Sequence, residues 1–197
     1  QDVDVNDIEL VKENDSIIAY IGVDNDIPNG IYGLYRAALG SSGIWTVQHD
    51  GSYGAAESIL DINISKNRDT LVLLSKNTGI LPVHSVQIKA LDTGAYTNFS
   101  GPADNGNASA ITLGDNTLFM ALNEKIYTNP LSTPASWSLG YSYPVGTEIN
   151  VLFYDELLVG TGTGLYAHEL SPSTLEINNL TTSDLLLFPN PCAGSFT

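Results

Sequence analysis

Cysteine is nearly missing from this chain: Cys192 is the single one in 197 residues. The body is therefore expected to hold together without disulfides and without cysteine-ligated metal. Positive charge is scarce as well. Seven Lys and Arg stand against 22 Asp and Glu, a formal net charge of -15. Phosphate backbones and anionic lipid surfaces call for clustered Lys and Arg, so neither nucleic acid nor an acidic membrane is an expected partner. A divalent cation or a basic partner fits the acidity, which also serves solubility. No apolar run approaches the roughly 18 residues of a membrane helix, so no membrane span is expected. Helical periodicity is missing too: nowhere beyond about two turns do apolar residues recur at i, i+3, i+4 and i+7. No signal peptide is evident, and Gln1 would suit a chain already processed.

What the chain does have is hydrophobic residues, 43% of the total, with only 15% charged, which argues against a disordered chain. Its length suits one domain with a sizeable core. Eighteen glycines, nine prolines and many Asn- and Asp-rich turns break it into short runs, an all-β spacing. The runs repeat. Ile8–Val11 and Ser16–Tyr20 flank a polar turn; so do Ile62–Ile64 and Thr70–Leu74, Ile111–Leu113 and Thr117–Ala121, and Ile149–Tyr154 and Leu157–Gly160. Each pair predicts a β-hairpin. The turn residues Asp15, Asp69, Asn116 and Glu156 are 54, 47 and 40 residues apart, a spacing expected of propeller blades.

After each hairpin comes a third run, as in Gly33-Leu34-Tyr35-Arg36, Ile126-Tyr127 and Gly164-Leu165-Tyr166; the second unit offers Val86-Gln87-Ile88-Lys89. A fourth run opens with Trp45 or Trp137. The expected fold is all-β and β-propeller-like, with about four blades of four antiparallel strands. One small sheet cannot bury both faces, so sheets stack and central strands send side chains alternately to either neighbour. Four units are few for a ring, which leaves part of a larger propeller, a small one, or a stack that does not close. A β-sandwich is the alternative.

Two resemblances follow. Leu39-Gly40-Ser41-Ser42-Gly43-Ile44-Trp45 resembles a worn Asp-box, the Ser-x-Asp-x-Gly-x-x-Trp hairpin of sialidase-like and sortilin-like propellers, without its acidic residue. Its Gly is expected in a left-handed turn with the Trp packed beneath. Ser132–Trp137 is a weaker echo. At the other end, Phe188-Pro189-Asn190-Pro191, a short turn, Gly194 and Ser195-Phe196-Thr197 resemble the start of the C-terminal sorting domain of type IX secretion cargo of Bacteroidota. The resemblance implies a secreted or cell-surface protein that engages the secretion machinery. It divides the chain into a repeat domain, 1–182, and a linker with the start of a sorting domain, 183–197. Asp15-Ser16-Ile17 and Asp69-Thr70-Leu71 look like the O-glycosylation triplet of the same bacteria.

Signs of catalysis are thin. Sialidase-like propellers hold substrate with three arginines; only Arg36 and Arg68 are present. His49, His84 and His168 are far apart and read as surface or turn residues. Gly-x-Ser-x-Gly is lacking, and Gly160–Gly164 reads as a β-turn because no helix follows it. The metal candidates are calcium ligands: Asp2, Asp4, Asn6 and Glu13 at the N-terminus, and Asp24 and Asp26 in a loop. Asp and Asn also serve such turns by bonding their own backbone. Tyr32, Tyr53, Tyr96, Tyr141 and Tyr143 are the candidate contacts for a protein or glycan ligand, since tyrosine buries much area at small entropic cost. The leading expectation is a non-enzymatic binding or spacer module without cofactor, calcium aside. The alternatives are a fragment of a glycan-active propeller enzyme whose site lies elsewhere, and a subunit of a surface fibre or matrix.

Overall fold

The computed structural model describes residues 4–168 except 14–15, 27–30, 51–56, 78–82, 105, 134–135 and 155–156, and without the side chains of 25, 26 and 83. Tyr53, Asp2, the Asp26 side chain and the sorting-like residues Phe188, Pro189, Asn190, Pro191 and Gly194 thus lie outside the described residues.

The described residues form four antiparallel sheets and no helix. Blade 1 holds β1 (Val5–Glu13), β2 (Ser16–Asp26), β3 (Ile31–Leu39) and β4 (Trp45–Asp50). Blade 2 holds β5 (Glu57–Ile64), β6 (Thr70–Asn77), β7 (Val83–Ala90) and β8 (Tyr96–Ser100). Blade 3 holds β9 (Ala108–Leu113), β10 (Thr117–Leu122), β11 (Lys125–Pro130) and β12 (Ser138–Ser142). Blade 4 holds β13 (Ile149–Tyr154), β14 (Leu157–Thr161) and β15 (Gly164–His168). Every sheet is a meander in chain order. None of these elements is a helix long and apolar enough to cross a membrane.

All four expected hairpins form where the polar turns lie. In blade 2 the turn closes on Ser65, whose Oγ accepts from the Asp69 and Thr70 amides and donates to Asp69 Oδ1. Gly160–Gly164 is a strand-to-strand turn, with Thr161 Oγ1 accepting from the Thr163 and Gly164 amides. The strand missed in the sequence is β8: Tyr96–Ser100 carries no Trp and only one buried side chain, Phe99.

The sheets stack face to face through three apolar seams. β6 shows the logic. Leu71 and Leu73 point into the seam with blade 1, beside Val11, Ile18, Leu34, Ile59 and Ile62. Val72 and Leu74 point the other way, beside Ile111, Leu113, Leu118 and Met120 of blade 3. β10 repeats the pattern, with Phe119 and Ala121 turned to Leu152, Leu157 and Val159 of blade 4. A central strand buried on both faces has neighbours on both sides, which a two-layer sandwich does not supply. Each fully buried Leu or Ile contributes roughly 1.5–3 kcal/mol. Among the described residues the seams run from blade 1 to 2, 2 to 3 and 3 to 4, and none joins blade 4 back to blade 1. Over the described residues the four blades make an open arc.

The worn Asp-box sits in the β3–β4 turn. Gly43 has φ +77° as expected, and Gly40 N–H donates to Ile44 O. Trp45 departs from expectation: it is 44% exposed. Trp137 does pack, against the blade 2–3 seam, and its indole N–H donates to Ser100 O.

Candidate functional site

The first strand of every blade carries the same irregularity. β1, β5, β9 and β13 each pair with the next strand through a bulge that leaves one residue unopposed: Asn6, Leu60, Ser109 and Asn150. A bulge re-aims its side chain out of the ladder. In blades 1, 2 and 3 it is aimed at the following blade. Asn6 Nδ2 donates to Ile59 O of blade 2 at 2.7 Å. Ser109 Oγ donates to Ile149 O of blade 4. The residue after the bulge works alongside it. Asp7 Oδ2 accepts from the Ile62 amide of blade 2 at 2.7 Å, and Asp61 Oδ2 accepts from the Ile111 amide of blade 3 at 2.6 Å. Leu60 and Ala110 cannot make these bonds, so each joint has one or both, according to its sequence.

Asp7 and Asp61 thereby come together. Burial above all, then the Asp7 carboxylate, pushes the Asp61 carboxyl up to about 7, while its bond from the Ile111 amide pulls the other way. The Asp61 carboxyl therefore keeps its proton well above the usual carboxylate range.

A second polar cluster lies between blades 1 and 2. Lys89, only 6% exposed, pairs with Asp50 and lies 4.9 Å over the Tyr20 ring and 5.2 Å over the Tyr96 ring. Glu13 beside it accepts from Tyr20 Oη at 2.6 Å and from Arg36 Nη2 at 2.7 Å. Burial pushes the Glu13 carboxyl up, but these two bonds outweigh it and hold it below the usual range. Tyr20 is pushed up by burial and by Glu13, and Tyr96 by burial and by Asp50.

The calcium candidates divide. β1 pairs with β2 so that Val5 opposes Val23, and Asp24 N–H donates to Asp4 O. Asp4 and Asp24, distant in sequence, are thus neighbours at one end of the first hairpin. Asn6 is committed to Ile59 O, and Asp24 Oδ1 accepts from Ser58 Oγ. Glu13 stands at the other end of the strand, seven residues beyond Asn6, or about 23 Å at strand rise. Glu13 is not brought to the same site. No group of three or more His, Cys, Asp or Glu suited to a metal occurs among the described residues.

The tyrosines are used in packing. Tyr32 and Tyr96 lie against the blade 1–2 core, and Tyr141 and Tyr143 against the blade 3–4 core. Tyr32 meets the His49 ring edge-on at 5.2 Å. Tyr141 and Tyr143 flank His168, with Tyr143 Oη 2.6 Å from His168 Nε2. His84 and His168 are buried, contrary to the surface reading, and burial lowers both their pKa values. Their signal was the apolar run in which each lies.

No protein-family model matches the chain, and no curated protein matches it. Solved structures do, at the level of fold. A GH74 enzyme of Niastella koreensis is 15% identical with TM-score 0.51, over 76% of this chain and 26% of that one. U3-55K is 12% identical with TM-score 0.53, over 86% of this chain and 52% of that one. The extracellular domain of the one component system BT4673 from B. thetaiotaomicron is 14% identical with TM-score 0.52, over 82% and 21%. The chain therefore spans between about a fifth and a half of the length of these proteins. By likeness of fold it is a stack of propeller-type blades.

Proposed function

We propose that the chain is a non-enzymatic binding or spacer module of a secreted or cell-surface protein, recognising protein or glycan and exported by the type IX secretion system of Bacteroidota. The repeat domain, 1–182, would carry the recognition, and 183–197 would begin the sorting domain. The observation that carries this reading is the fate of the polar side chains. Asp7, Asp61, Asn6 and Ser109 are spent on fastening blade to blade, and Lys89, Asp50, Glu13 and Arg36 on one another. Fold likeness to an extracellular domain adds support. The ligand contacts would be the outer edges of Tyr32, Tyr96, Tyr141 and Tyr143, with Tyr53. Trp45, which the sequence had assigned to packing, joins them with much of its indole exposed.

A glycan array and a pull-down with surface proteins test the reading. Retention of one glycan class or one protein, weakened about tenfold by Trp45→Ala, is expected, since a stacked ring is worth on the order of 1 kcal/mol or more. Hydrolysis of a glycan, lost in Asp61→Asn, would replace it with the enzyme reading, which the raised Asp61 carboxyl beside Asp7 favours. Calcium is the one ion in the proposal, and Asp4 and Asp24 at one end of the first hairpin are the described residues that would hold it. Millimolar calcium should raise the melting temperature by a few degrees, and less in Asp24→Asn; an unchanged midpoint removes the ion from the account.

A further inference from the structure

The two ends of the arc are the two halves of its own joint. Each internal joint has a giving face and a receiving face. On the giving face are the bulge side chain and, opposite the residue after the bulge, a position on the second strand. In blade 1 these are Asn6 and Gly22. Gly22 lets the next blade approach closely: a Cβ there would meet Ile59 Cγ2 at 2.6 Å. On the receiving face are the residue before the bulge and the alternate residues after it, Ile59, Ile62 and Ile64 in blade 2. Ile59 offers the carbonyl and its side chain fills the space over Gly22.

Blade 4 repeats the giving face of blade 1. Asn150 is its bulge residue and Gly160 stands opposite Val151, where Gly22 stands opposite Asp7, but the space that Ile59 of the next blade fills over Gly22 is filled over Gly160 by Val151 of its own blade. Blades 2 and 3 have Leu74 and Ala121 at that position. No described residue of another blade covers this face. Asn150 is exposed and its amide bonds no described residue, while Val151 and Phe153 are 52% and 54% exposed. Blade 1 presents a receiving face in the same state. Val5 holds the place of Ile59, and Ile8 and Leu10 hold those of Ile62 and Ile64. Val5, Ile8, Leu10 and Ile17 are each about half exposed.

We infer that blade 4 of one copy of this chain receives blade 1 of a second copy, so that Asn150 Nδ2 donates to the Val5 carbonyl and Val151 and Phe153 cover Ile8 and Leu10. The joint continues the one between blades 1 and 2. It is heterologous, so both faces of each copy are used, in a closed ring or an open chain of copies. Apolar faces of this extent on both ends are an association surface. The charge of -15 on each copy opposes association, so salt strengthens it.

The test is molar mass by light scattering on the full chain in 0.3 M salt, for the parent and two variants. Phe153→Asp spoils the giving face and Leu10→Asp the receiving face; both residues are exposed, so the fold tolerates the changes. The parent should run at twice 21.0 kDa or above and each variant alone at 21.0 kDa. An equimolar mixture of the two variants retains one intact face of each kind and should give a species of two chains. A monomeric parent overturns the inference, as it would if further blades of a longer polypeptide covered the faces. So does a mixture that remains monomeric while the parent associates, because association would then use other surfaces. Aberrant circular dichroism of a variant would transfer the test to Asn150→Ala and Val5→Asp, with the same readings.

Discussion

Asp61→Asn should flatten the pH dependence of unfolding between about pH 4 and pH 7 and leave the variant more stable than the parent at pH 8. Asp61 sits where a carboxylate is costly: half-buried at the blade 2–3 joint, beside Asp7. Its folded pKa, about 7, stands above the unfolded value of 3.8. The folded state therefore holds the proton more tightly. Its contribution to stability is fully present below pH 3.8 and is lost as pH rises through 7. A shift of this size is worth on the order of 2–4 kcal/mol across the window. Asn keeps an oxygen for the Ile111 amide and carries no charge. Glu9 is also raised, by burial and then by Asp7, and acts in the same direction. Glu13 and Asp69 are lowered and act oppositely, losing their contribution as pH falls. Subtracting the variant's urea-denaturation profile from the parent's removes most of these shared terms. A difference that does not vary with pH would mean that Asp61 is not held as an acid at the joint.

Lys89→Ala should be the most damaging change in the blade 1–2 seam. It leaves the half-buried Asp50 without its cation and empties the space between the Tyr20 and Tyr96 rings. Breaking a buried pair from one side costs about 3–5 kcal/mol, or roughly 10 °C in a domain of this size. Removing both charges, as Lys89→Met with Asp50→Asn, should recover more than half of that loss, because the cost comes from the stranded carboxylate. Thermal melts of the three proteins decide it. Equal losses in the single and double variants would mean that the packing of the lysine stem dominates over its charge.

The hairpins were legible because their code is local. Ser65–Thr70 spells out its own turn, and Leu71–Leu74 is apolar on both faces because both faces are covered. The blade joints were not legible. The bulge leaves no mark in the period-2 pattern, and the four bulge residues are Asn, Leu, Ser and Asn. Asp7 and Asp61 look like any exposed acid in an acidic chain until a neighbouring blade supplies an amide. For the same reason Asp4 and Asp24 read as two separate clusters before the hairpin set them side by side. The tyrosines misled in the opposite direction. An aromatic near a turn reads as exposed, but Tyr141 and Tyr143 turn back onto His168.

That successive blades are fastened by side chains reaching from one bulged strand to the next can be measured directly. In uniformly labelled protein, a through-hydrogen-bond scalar coupling should link the Ile62 amide nitrogen to the Asp7 carboxyl carbon, and the Ile111 amide nitrogen to that of Asp61. These pairs lie 55 and 50 residues apart in sequence and meet only if blades 1, 2 and 3 stack in this register. Both couplings are expected at pH 6. Fast solvent exchange at Ile62 and Ile111 with no coupling to either aspartate would contradict the stacked-blade account.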